Sequence, residues 1–334
     1  MSNPSRTSNP LAPSSGALLL AVLVAATCLF TGRDAAAQAC CTATGAGELS
    51  VVGRCYDGVA AAQLSYERAW GSYDVEGEYH SMSDAEIDDF ILTLGAGQRV
   101  LTRSLQVHAS VPLRMQYRRF GDADGDMATR LGDAAFALRW TALEDKMDGI
   151  DFDKFDSLVP FLDAYIALKV PSGRAPEDSE SATGADITGD GAWQALVGTK
   201  ISKFITSSHV LAVQLDYIHG FARDIDHGGA QPIDFDPGEE FSARLSWLQI
   251  HDLFWSWGAF AKGQWATDAS QDGEVVDGSA TERFRVGAHI THAISFPLWE
   301  VTLSGSVDTW WDHAGQNLPY VGPSGAVTLR RNWY

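Results

Sequence analysis

Alternation of apolar and polar residues along most of the chain restricts this sequence more than any other feature. The clearest segment runs from Arg103 to Arg118. There Leu105, Val107, Ala109, Val111, Leu113, Met115 and Tyr117 alternate with Ser104, Gln106, His108, Ser110, Pro112, Arg114, Gln116 and Arg118. A period of two puts each set on its own face of an extended strand, one suited to lipid and the other to water. A soluble sheet with one wet face alternates as well, so the number and length of such segments decide. From about residue 60 onward there are about twelve, each of roughly 9 to 14 residues and bounded by clusters of Gly, Asp, Ser and Pro. They fall at 60–70, 89–99, 103–118, 131–142, 158–170, 192–204, 209–220, 241–249, 253–266, 283–294, 298–311 and 324–334. The pattern predicts an all-β chain: an antiparallel transmembrane β-barrel of about 12 strands.

The connections point the same way, because outer-membrane barrels have short periplasmic turns and longer external loops. Val100-Leu101-Thr102, Ile205-Thr206-Ser207-Ser208, Ile250-His251-Asp252 and Ser295-Phe296-Pro297 are tight, whereas 71–88, 119–130, 171–191, 221–240, 267–282 and 312–323 are long and mostly acidic or glycine-rich. One link on the expected periplasmic side, 143–157, is longer than the rest. Aromatic residues gather at segment ends, as an interfacial belt requires: Trp70, Tyr73, Tyr117, Trp140, Trp193, Tyr217, Trp247, Trp255, Trp265, Trp299 and Trp311. In the last segment the apolar residues Val327, Leu329 and Trp333 are expected to face outward, which leaves Arg331 at the lipid edge and turns Tyr334 inward.

Ahead of the strands, Arg6 precedes an apolar run from Ala17 to Phe30 and a small-residue patch, Ala35-Ala36-Ala37-Gln38-Ala39. The run of about 14 residues is shorter than the roughly 20 that a spanning helix needs. It reads as a secretory signal, residues 1–39, cut before Cys40. A cysteine at the new N-terminus raises lipidation as an alternative, against which Ala37 stands where lipoprotein signals carry Leu or a similar residue. Residues 40–58 then form a short periplasmic segment and residues 59–334 the barrel. Cys40, Cys41 and Cys55 are disulfide candidates in an oxidising compartment, with Cys55 pairing to one of the other two. The formal charge of −19 repels phosphate and argues against nucleic acid as a partner.

Three central segments carry a family resemblance. Leu131-Gly132-Asp133-Ala134 opens an alternating strand, Lys169-Val170-Pro171-Ser172-Gly173 ends one, and Thr188-Gly189-Asp190-Gly191-Ala192-Trp193 enters the next. In these the chain resembles the outer-membrane transporters named after the meta-pathway of phenol degradation, and the match covers the central third. The resemblance implies an outer-membrane barrel that moves hydrophobic or aromatic compounds. It also implies that Cys40, Cys41 and Cys55 correspond to a short cysteine-bearing segment ahead of the barrel.

Projecting the alternation inward sends His108, Arg114, Arg118, Asp133, Arg139, Asp163, Tyr165, Lys169, Lys200, Asp216, Arg244, Lys262, Arg285, His289, Glu300 and Asp308 toward the lumen, together with Glu67, Arg99 and Arg283. A barrel of this size leaves a narrow lumen that side chains nearly fill, so paired charges can simply brace the wall. Taken as a ladder, Arg114, Arg118, Arg139, Lys169, Lys200, Arg244 and Lys262 would lower the barrier to anions. The expected function is passive passage or uptake of small solutes by a monomer that meets lipid, lipopolysaccharide and the barrel-assembly machinery. A barrel hydrolase and a closed structural barrel are the alternatives. No Ser-His-acid spacing marks a catalytic site, and nothing calls for a cofactor or metal. The run Asp122, Asp124 and Asp126 has Met127 where a calcium loop needs Gly and Gly132 where it needs Glu. Loops 171–191 and 221–240 are long enough to fold inward and plug the lumen.

Overall fold

The computed structural model describes residues 49–225, 232–252, 254–295 and 298–334. The secretory signal, Cys40 and Cys41 lie outside the described residues. Twelve of the described strands form the wall: β1 (Gly58–Arg68), β2 (Ala85–Arg99), β3 (Leu105–Phe120), β4 (Ala134–Leu143), β5 (Phe161–Val170), β6 (Gln194–Thr206), β7 (His209–Gly220), β8 (Glu239–Ile250), β9 (Trp255–Ala266), β10 (Thr281–Ser295), β11 (Trp299–Asp308) and β12 (Pro323–Trp333). Each pairs antiparallel with its sequence neighbour. The seam closes where β1 meets β12, from Gly58 opposite Trp333 to Glu67 opposite Ser324. Closure leaves no wall edge unpaired, so backbone N–H and C=O groups are satisfied inside lipid.

Burial follows the two-residue period. On β3, Gln106, His108 and Gln116 are buried while Val107, Val111 and Leu113 are exposed. An isolated barrel buries its lumen side and exposes the surface that would meet acyl chains, so the exposed Leu64, Leu94, Phe136, Ile166, Val197, Leu245, Val286 and Leu303 trace the apolar exterior. On β12 Val327 and Leu329 are exposed and Thr328 and Arg330 buried, the expected register; Arg331 lies over the Trp299 ring at 5.6 Å. Tyr334, expected inward, is 67 % exposed, with its ring 5.5 Å from that of Tyr56. Trp70, Trp140, Trp193, Trp255 and Trp311 are exposed near strand ends. Tyr73 departs from the expected belt. It is buried in a small sheet of loop strands, Gly71–Tyr73, Tyr79–Ser81 and Leu318–Val321, and its hydroxyl donates to the Thr309 and Trp311 carbonyls.

One end of the barrel carries the tight turns and the other the long loops. At the long-loop end β3 continues as a hairpin with Asp126–Leu131, so the wall between β3 and β4 is interrupted at Gly132-Asp133.

Candidate functional site

Sequence reading set residues 40–58 ahead of the barrel. The described part, residues 49–57, folds back against the inner wall at the short-turn end. His108 Nδ1 lies 2.6 Å from the Ser50 carbonyl oxygen, Val52 N donates to Gln106 Oε1 (3.1 Å), and Arg330 donates to the Val51 carbonyl (2.5 Å). Arg99 donates to the Tyr56 carbonyl at 2.7 Å. Arg54 reaches Asp163 at 3.5 Å and lies 3.3 Å above the Phe161 ring. Glycine makes the room: a Cβ on Gly97 would collide with the Ser50 carbonyl, and one on Gly95 would stand 3.1 Å from Leu49. Val52, Tyr56 and Val59 form a buried cluster beneath. Cys55 in this segment is exposed. Sequence reasoning missed the plug because its partners are inward residues on four distant strands.

The overlong link after β4 also packs against the inner wall at that end. Asp145 accepts from Phe204 N (2.9 Å) and Lys203 Nζ (2.6 Å). Met147 packs against an inward apolar cluster of Phe161, Phe204, Val210, Leu248 and Ile250. The length of 143–157 was the one visible signal.

At the opposite end the three motif segments converge. Asp133, at the wall interruption, accepts from Gly173 N (2.9 Å) and Asp190 N (3.1 Å), and Lys169 sits 3.4 Å from it while pairing with Asp190. Ser172 Oγ donates to the Gly132 carbonyl, and Thr188 Oγ1 to that of Leu131. A Cβ on Gly173 would stand 2.9 Å from Asp133 Oδ1, and one on Gly189 would collide with it. The motif glycines therefore let a buried carboxylate grip two backbone N–H groups. So clamped, loop 171–191 turns inward. The Gln116 amide nitrogen faces the carbonyls of Ala185 (2.9 Å) and Ile187 (2.7 Å), and Arg118 donates to Thr183 O. Asp186 holds the loop's own fold, accepting from Ser179 Oγ, Glu180 N and Arg174. Burial raises its carboxyl pKa, but the Ser179 and Glu180 hydrogen bonds and the Arg174 pair outweigh that and hold it well below the usual carboxylate range.

The remaining inward charges line the wall. Some neutralise each other: Arg139 pairs with Asp163 (2.7 Å), which also accepts from Thr141. Arg283 and Arg285 share Glu67 and Asp308 at 2.6–2.9 Å, and Glu300 stands opposite Arg330 in the ladder. Asp216 accepts from Tyr165, Gln214 and Ser242. Lys200, Arg244 and Lys262 occupy neighbouring inward positions on β6, β8 and β9. His289 is buried, and neither ring nitrogen has a hydrogen-bond partner among the described residues. Arg114 stands on β3 opposite Ile91 and shares no ion pair with the rest among the described residues.

Beside residues 49–51, against the inner wall, lies a cavity of about 360 Å³. Gln63, Thr93, Ser110 and Gln214 supply polar groups; Ala137, Ala167 and Leu196 form an apolar panel, and Leu49 and Ser50 close one side. In loop 69–84, Asp74, Glu78 and His80 gather within 4.8 Å, held as an exposed pair by the 2.7 Å contact of His80 Nε2 with Asp74. At the rim His219 meets Glu239 (2.9 Å), and among the described residues no serine or threonine hydroxyl hydrogen-bonds to it.

A closed antiparallel barrel, apolar outside and charged inside, defines a transmembrane barrel of the bacterial outer membrane. Structural comparison agrees. An outer-membrane channel from Pseudomonas putida F1 superposes with a TM-score of 0.67 at 15% identity, covering 86% of this chain and 99% of that one. The translocator domain of the autotransporter NalP from Neisseria meningitidis follows at 0.47 and 11% identity, covering 83% and 88%. No model of a protein family matches the sequence, and no curated protein matches it. The fold is the one that the motif resemblance implied.

Proposed function

We propose that this protein is a narrow outer-membrane channel that passes small solutes one at a time. The observation that carries the reading is a cavity inside the barrel of a size for one small solute, with Leu49, Ser50 and Val51 on one side and inward wall residues around the rest. A cavity of that volume suits a solute of about one ring, and its apolar panel beside polar groups suits compounds with both kinds of surface. The likeness to a channel of known structure supports passage over a solid structural barrel, and the motif resemblance favours aromatic or otherwise hydrophobic solutes. In this reading residues 1–39 direct export and are removed. The barrel works as a monomer assembled by the barrel-assembly machinery among lipopolysaccharide. The inward charges divide between wall-bracing pairs and cations that favour anions.

Single-channel recording on the refolded mature protein tests it. Small discrete conductance steps, blocked by single-ring solutes added on the loop side, are expected. Silence from a preparation whose folded state is verified by its heat-modifiable gel shift would overturn passage.

A further inference from the structure

We infer that the long loop between β1 and β2 carries a metal site, in which Asp74, Glu78 and His80 hold one divalent transition ion of the zinc class. The inference does not depend on the passage reading.

A short hairpin prepares the ligand set. Strands Gly71–Tyr73 and Tyr79–Ser81 pair with Ser72 opposite His80 and Tyr73 opposite Tyr79, and Gly77, in the left-handed region at φ 82°, closes the turn. Side chains two apart along a strand share a face. Glu78 and His80 therefore stand on one face, and the link from Asp74 N to the Glu78 carbonyl (3.2 Å) places Asp74 beside them. The other face is packed: Tyr73, Leu318 and Val321 are buried there, with Tyr79 against them. Asp74 is fixed as well. Its Oδ1 accepts from Glu76 N (3.1 Å) and Glu78 N (2.8 Å), which leaves Oδ2 for His80 Nε2 at 2.7 Å. Ligands seated on a rigid element need little reordering to close on an ion.

Two observations favour an ion over a plain surface pair. First, the charges do not balance. Asp74 and Glu78 are like charges facing each other across the hairpin, an arrangement that costs stability in a sheet. Asp312, whose Oδ1 accepts from Tyr79 N at 3.1 Å, adds a third carboxylate acting on the His80 ring. His80 carries at most one positive charge, and neither loop 69–84 nor loop 309–322 contains Lys or Arg. A divalent ion closes that deficit. Second, the donor atoms of Asp74, Glu78 and His80 already lie within 4.8 Å of one another, and a tetrahedral zinc shell of about 2.0–2.2 Å sets its ligands roughly 3.3–3.6 Å apart. Small rotations of the exposed Glu78 and His80 side chains cover the difference.

The donor set names the ion. One imidazole nitrogen with carboxylate oxygens suits zinc and its neighbours, whereas calcium and magnesium take oxygen ligands and copper(I) takes sulfur. Three protein ligands leave a fourth position for Asp312 or water. Asn317 N and His313 N donate to the carbonyls of Asp74 and Gly77 at 2.7 Å each. An ion held here therefore also pins the link between the two loops that flank the seam of β1 and β12.

Calorimetric titration with zinc chloride tests the site, using the refolded mature protein in detergent, stripped with EDTA and with reduced thiols alkylated. Wild type is expected to bind one zinc ion per chain and to keep it against about a hundredfold excess of calcium. His80→Ala and Glu78→Gln, each verified as folded by its heat-modifiable gel shift, should weaken binding at least about tenfold. His251→Ala, at the short-turn end, should leave it unchanged. Zinc should also slow proteolysis within 69–84 in wild type and not in His80→Ala. No saturable binding, binding that survives both substitutions, or equal binding of calcium would overturn the site.

Discussion

The two halves of the lumen wall are built to opposite rules. From β12 through β1 to β5, most inward polar residues are consumed by structure, Arg114 excepted: Arg99, Gln106, His108 and Arg330 hold residues 49–57, Asp133 clamps loop 171–191, and Arg139 and Arg54 neutralise Asp163. Across β8 and β9 the same kind of alternation sets Arg244 directly opposite Lys262, cation facing cation. A buried charge that has its partner braces a wall, whereas one facing other cations biases whatever enters the lumen. The difference separates residues that make the barrel rigid from residues that give it a preference.

The comparison can be broken from the packed side. Removing residues 49–57 from the exported chain should produce the largest change, a rise of at least about threefold in single-channel conductance; an unchanged value would mean that the bare half alone limits flow. Arg139→Ala should be next, leaving Asp163 with the more distant Arg54 and destabilising the barrel by about 3–5 kcal/mol in urea unfolding from detergent. Lys262→Met in the bare half should stay within about 0.5 kcal/mol of wild type in the same assay. Gly189→Ala, whose Cβ collides with Asp133, should loosen the clamp by about 1–3 kcal/mol, read as faster proteolysis within 171–191 with the barrel intact. The smallest effect is that of pH. Because the Asp186 carboxyl is held below its unfolded value, its contribution is fully present above about pH 4 and is lost as pH falls through the folded value. Hydrogen exchange at Ala185 and Thr188, corrected for intrinsic rates, should match at pH 7 and 5 and quicken only in stronger acid.

The strands were legible because a half-wet strand writes its period into the sequence. His209–Gly220 was expected at its observed bounds, and β3 and β10 within two residues. The start of β2 was missed by four, since Ala85 to Asp88 looks like an acidic loop until Arg118 and Arg119 are seen opposite. The motifs Gly132-Asp133, Pro171-Ser172-Gly173 and Thr188-Gly189-Asp190 were visible as strings; their meeting at one carboxylate was not. Nor was the plug, because nothing local to residues 49–57 encodes contacts with β2, β3, β5 and β12. The ladder of cations was read as seven residues strand by strand; which of them stand side by side, as Arg244 and Lys262 do, depends on the register of every pairing in between.

The seam between β1 and β12 also sets an order of events. Arg330 and Val51, which it brings together, are 279 residues apart, and closing so long a loop is slow and entropically unfavourable. Asp57 N, bound to the Trp333 carbonyl at 2.9 Å, and Tyr56, whose ring meets that of Tyr334, also wait for the last strand, whereas the holds on β2, β3 and β5 do not. An open sheet of the first strands can thus dock its own leading segment well before the last strand has crossed into the membrane. Assembly then becomes a matter of wrapping: the barrel is rolled up around a peptide already in place, and the final strand seals a lumen that was never empty.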